Sequence, residues 1–122
     1  MKTLQLLIAT LVLSATVSLA GSNLPNITPQ QASQYLGKKA VVTGRVTEVI
    51  SNEKGNFIKF AKKGSHGFTA VILDASRSQF PNYENMQRLT GRNISVSGRI
   101  DRDMDGNPNI IVDSRGQIRL AK

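Results

Sequence analysis

The chain has 122 residues, with 16 Lys or Arg against 8 Asp or Glu, a formal net charge of +8 and an apolar share of 39%. That length holds one small domain and excludes a multidomain enzyme, yet suffices to bury a core. Cysteine is absent and His66 is the lone histidine, which excludes disulfides, thiolate metal sites, a cysteine nucleophile and multi-histidine metal chemistry.

Met1-Lys2 gives a positive start, residues 4–13 are almost continuously apolar, and Ser18-Leu19-Ala20 places small residues where a signal peptidase reads. The run is too short for a membrane anchor. Residues 1–20 are therefore expected to be a cleaved export signal. The mature protein would begin near Gly21, carry no membrane anchor and work in the periplasm or the medium. Without Lys2 it carries 15 basic and 8 acidic residues, a charge of +7. Such a balance suits an anionic partner: nucleic acid, an acidic glycan or a membrane surface.

Residues 21–26 form a polar lead-in. Thr28 is a good helix cap, Pro29 fits a first turn, Gln31 can complete a capping box, and Gly37 stops the short helix. Residues 40–50 are rich in Val and Thr and read as a strand, with Gly44 expected to mark a bulge or sharp bend. After the polar turn 51–55 come a second strand at 56–61, a basic loop at 62–67 and a third strand at 68–73. Phe80, Tyr83, Met86 and Leu89 fall three apart and predict a short helix after Pro81. Ile94, Val96, Gly98 and Ile100 alternate with polar residues, as in a half-buried fourth strand. Asp105-Gly106 is a hairpin turn, residues 109–112 form a fifth strand, and 117–120 can extend the sheet.

The expected fold is thus all-β with minor helix: a five-stranded barrel, a short N-terminal helix, and a helical connector between strands three and four. That is the element order of the OB-fold. Residues 1–20 are assigned to the signal, 21–37 to the lead-in and helix, and 38–122 to the OB-fold domain.

Four segments carry a family resemblance. They are Ile27-Thr28-Pro29-Gln30-Gln31-Ala32 leading into Tyr35-Leu36-Gly37-Lys38; Val42-Thr43-Gly44-Arg45-Val46; Gly55-Asn56-Phe57-Ile58-Lys59-Phe60 with Phe68-Thr69-Ala70-Val71-Ile72; and Gly91-Arg92 through Val96-Ser97-Gly98-Arg99-Ile100. In order and spacing the chain resembles the small exported bacterial OB-fold domains of the nucleic-acid-binding type, also found attached to secreted nucleases. The resemblance implies an OB barrel and nucleic-acid binding, with no catalytic residues. A second exported family, the stress-associated OB proteins, has a similar layout. Its usual glycine and acidic pattern around the third strand is not evident here.

If Ile58 and Phe60 point inward, Phe57 and Lys59 point to the outer face. OB-folds hold single strands there by stacking and cationic contacts. Candidate binding residues are therefore Arg45, Thr47, Phe57, Lys59, Lys62, Lys63, His66 and Thr69. The competing reading buries Phe57 and leaves the lysines solvated. Asp101-Arg102-Asp103-Met104-Asp105-Gly106 matches the start of a calcium loop, D-x-D-x-D-G, so Asp101, Asp103 and Asp105 form a weak metal candidate. Val112 stands where the closing Glu belongs, which favours a plain hairpin.

The sequence thus predicts a non-enzymatic, cofactor-free binder of single-stranded or accessible nucleic acid. The alternative is a periplasmic stress or envelope protein whose barrel binds a protein, an anionic glycan or a small ligand. Mass spectrometry of exported material should show a chain lacking Met1 to Ala20. An intact N-terminus in a membrane fraction would contradict the signal assignment.

Overall fold

The computed structural model describes residues 23–60 and 67–121. The expected signal and the basic positions Lys62, Lys63 and His66 lie outside the described residues. Among those described, the chain is mostly β. Nine strands form two sheets, with four short 3-10 helices between them. No helix among the described residues is long and apolar enough to cross a membrane.

The first sheet has four strands in the order β1 (Asn26–Ile27), β2 (Lys39–Arg45), β6 (Asn93–Arg99) and β9 (Ile118–Leu120). The second has five, in the order β3 (Glu48–Asn52), β4 (Gly55–Lys59), β5 (Thr69–Leu73), β8 (Pro108–Ile111) and β7 (Asp101–Arg102). β2 runs antiparallel to β6, while β5 and β8 run parallel.

The expected five-stranded barrel is corrected here: the described strands form two separate sheets, not one closed barrel. The first expected strand splits into β2 and β3, and the fourth into β6 and β7. The first split falls at Val46-Thr47, where backbone partners change. Val46 donates its N–H to Arg92 O at 2.9 Å and accepts one from Gly91 at 2.8 Å. The next residue, Thr47, donates to Lys59 O at 2.8 Å, so the chain has crossed to the other sheet. Gly44, the expected bend, stays paired with Ile94 inside β2. Its lack of a side chain instead admits Pro29. A Cβ there would sit 2.5 Å from Pro29 Cγ and 2.9 Å from Cδ.

The core lies between the sheets. Val42, Ile58, Phe68, Ile72, Ile94, Val96, Ile100 and Ile110 are fully enclosed. Each buried aliphatic side chain contributes about 1.5–3 kcal/mol relative to exposure. Phe60 and Phe68 pack with ring centroids 5.3 Å apart. The sheets approach closely at Gly98, where a Cβ would fall 2.7 Å from Ile110 Cγ2.

The first 3-10 helix, Pro29–Tyr35, buries Ala32 and is closed by the Thr28 N–H bonding to Gln31 Oε1 at 2.9 Å. Between β5 and β6 lie two more, Asp74–Gln79 and Tyr83–Leu89. The three-residue apolar spacing suits this geometry, because a 3-10 helix stacks positions i and i+3 on one face. Phe80 and Met86 are buried, and Tyr83 and Leu89 pack against the core.

Gly44→Ala should force Pro29 and its helix away from β2. The expected cost is about 1–3 kcal/mol, or several degrees of melting temperature in a domain of this size. An unchanged thermal melt would contradict this close packing.

Candidate functional site

Strand register determines what the five-stranded sheet shows to water. Ile58 and Asn56 point into the core, so Phe57 and Lys59 point out. Phe57 stands directly opposite Ile50 on β3 and Val71 on β5, and Val71 opposite Ile111 on β8. Four strands therefore place Ile50, Phe57, Val71 and Ile111 in one apolar row on the outer face. Ile50 and Ile111 are each 39% exposed, Phe57 is half-buried, and Val71 is covered by its neighbours. Leu73, 41% exposed, lies open beside this row because its β4 neighbour is Gly55.

The adjacent row is polar. Lys59 faces Glu48 on one side and Thr69 on the other, and Thr69 faces Asn109. Lys59 and Thr69 are half-buried. Asn109 continues the row to Asp101, and its Oδ1 is buried without a hydrogen-bond partner. The row mixes Lys59 with Glu48 and Asp101, so it offers directed hydrogen bonding rather than a concentrated positive field.

Of the predicted residues, Phe57, Lys59 and Thr69 share this face. Thr47 lies beside them, its hydroxyl donating to Lys59 O at 3.1 Å. Arg45 does not join them. It ends β2 in the other sheet, opposite Asn93, with its guanidinium near Gly91. Sequence reading missed Ile50, Val71, Leu73, Asn109 and Ile111. A signal was present in β5, where Thr69, Val71 and Leu73 make the second face of a strand whose first face is already apolar.

A second, polar cleft of about 260 Å³ lies where β3 and β4 meet the connector, with Arg77, Tyr83 and Gln87 in its wall. The buried Asn56 donates to Tyr83 O at 3.0 Å and pairs with the Ser51 hydroxyl, which also accepts from Gln87 Nε2 at 2.6 Å. Arg77 lies 5.0 Å from the Tyr83 ring and bridges Asp74 and Glu84. The Tyr83 phenol titrates above its ordinary range, first because it is withdrawn from water and then because Asp74 lies nearby. These bonds tie the connector to the sheet.

The acidic motif forms the β7–β8 hairpin. Asp103 Oδ1 accepts from the backbone N–H groups of Asp105 at 2.9 Å and Asn107 at 2.8 Å. Asp101 instead pairs with Arg99 at 3.3 Å. Asp101 and Asp103 thus serve different local partners, and the glycine turn, with Gly106 at φ 85°, closes the hairpin.

No protein-family model matches the chain. No curated protein matches it in sequence. Solved structures do match. Asparaginyl-tRNA synthetase from Pyrococcus horikoshii superposes with a TM-score of 0.56 at 16% identity, over 79% of this chain and 23% of that one. Its asparaginyl-adenylate complex gives the same TM-score and identity. A Leishmania major Friedlin protein described as an aspartyl-tRNA synthetase gives 0.53 at 13% identity, over 80% of this chain and 21% of that one. The likeness is one of fold. It is OB-fold-like, and this chain spans less than a quarter of the length of those enzymes.

With Asp103 held by backbone donors, calorimetry should detect no micromolar calcium binding. Asp103→Ala should cost about 1–2 kcal/mol by freeing two N–H groups of the turn. Micromolar calcium affinity lost in that variant would overturn the hairpin assignment.

Proposed function

We propose that this protein is an exported, non-catalytic OB-fold module that holds single-stranded nucleic acid across the outer face of its five-stranded sheet. The two sheets are read as halves of an OB barrel whose first and fourth strands are each bent into two segments. The observation that carries the reading is the apolar row Ile50, Phe57, Val71 and Ile111 on a water-facing surface. A contiguous apolar patch rimmed by polar groups marks a binding surface. A flat strip centred on an aromatic ring suits unstacked bases, since every base offers a π-face.

The parts divide the work. Phe57 offers a ring for stacking, and Ile50 and Ile111 extend the apolar ledge. Lys59, Thr69 and Asn109 reach phosphates, sugars or base edges from the neighbouring row. Lys62 and Lys63, which follow β4 in sequence, add positive charge, His66 adds an imidazole, and the mature charge of +7 draws in the polyanion. The OB-fold-like neighbours support the reading, because they are tRNA synthetases, enzymes that act on a nucleic acid.

Titration with labelled single-stranded oligonucleotides across a salt series is the test. Lys59→Ala should flatten the slope of log affinity against log salt by about 0.7. Phe57→Ala should cost about 1–3 kcal/mol of affinity with little change of slope. Phe57→Leu, which keeps an apolar side chain in the row, should lose affinity while leaving the melting temperature near the parent value. A wild-type protein without salt-dependent oligonucleotide binding would overturn the proposal.

A further inference from the structure

A separate opening leads into the core at the end of the four-stranded sheet. In β9, Ile118 and Leu120 pair with Val96 and Ile94, both core-facing and fully buried. Register therefore turns Leu120 toward the core side, yet it is 59% exposed. The Tyr83–Leu89 helix, together with Phe80 and Pro81, stops short of covering it. The resulting cleft has a volume of about 270 Å³, and Met86 and Ile94 are among its lining residues.

The rim is cationic. Arg88 comes from the Tyr83–Leu89 helix, Arg115 from the Arg115–Gln117 turn and Arg119 from β9. All three are exposed, and none makes an ion pair among the described residues. Among the described residues, no Asp or Glu lines the cleft. Of the other described arginines, Arg77 and Arg99 pair with carboxylates, whereas Arg45, Arg92 and Arg102 do not. An apolar floor edged by arginines from three elements, none ion-paired among the described residues, favours an anionic amphiphile. We propose that this cleft binds a free single-chain amphiphile, an alkyl chain with a phosphate or carboxylate head. The chain occupies the space over Met86 and Ile94, and the head sits among Arg88, Arg115 and Arg119. The cleft's size suits one short chain rather than a bilayer surface. Its lining shares no residue with the Phe57 row, so the two sites stand or fall separately.

Calorimetry of the purified chain with octyl phosphate below its micelle concentration tests this. We expect one molecule bound per chain, with affinity rising about fourfold per methylene from butyl to octyl phosphate. Arg115→Ala and Arg119→Ala should each weaken binding about three- to tenfold. Phe57→Ala should leave it unchanged. Inorganic phosphate binding as tightly as octyl phosphate, affinity independent of chain length, or indifference to both arginine substitutions would overturn the proposal. So would binding confined to anionic phospholipid vesicles, which would assign the arginines to a membrane surface.

Discussion

The architecture turns on a single exchange of backbone partners between Val46 and Thr47. Val46 belongs to the first sheet through Arg92 O and the Gly91 N–H, and Thr47 belongs to the second through Lys59 O. Val46 is itself buried, with exposed Arg45 and Thr47 on either side, so the crossover begins at the edge of the core. A buried backbone must keep its hydrogen bonds, which leaves little freedom in where the exchange occurs. It fixes the register of β3 on β4, and through β4 that of β5 and β8.

Register then decides the chemistry of the surface. A one-residue slip would move Phe57 to the core face and put Asn56 in water. Asn56 resists that slip, since its side chain is engaged with Ser51 and Tyr83 O in the interior. The same contacts hold the connector against β4. The outward aim of Phe57 and Lys59 is therefore secured by polar bonds on the opposite side of the same strand. The acidic hairpin makes a similar contribution at the other edge, with Asp103 closing the turn that presents β8 and its Asn109 and Ile111.

Local features of the fold were legible in the sequence. The alternation through Ile94, Val96 and Ile100 gave β6, Thr28-Pro29 with Gln31 gave the first helix, and the three-residue spacing from Phe80 to Leu89 gave the buried contacts of the connector. Non-local features were not. Gly44 looked like a bend because glycine often marks one, whereas its role is set by Pro29, which lies 15 positions earlier in the chain. The apolar row could not be read from any one strand, because it is assembled from four strands and two of its members, Ile50 and Ile111, pass for ordinary β-formers. Arg45 belongs to the first strand, which sequence places beside Phe57, but that strand passes to the second sheet only after Arg45. The aspartate motif was ambiguous in principle, since a calcium loop and an Asx-closed hairpin use the same residue types.

In the proposed function, nucleic acid binds the face carrying Ile50, Phe57, Val71 and Ile111. The most direct measurement is a map of backbone amide shifts in the isotope-labelled protein as a single-stranded oligonucleotide is added. Perturbations should concentrate in β3, β4, β5 and β8, with β2, β6 and β9 little affected. Shifts centred on the four-stranded sheet, or none at saturating oligonucleotide, would contradict that proposal.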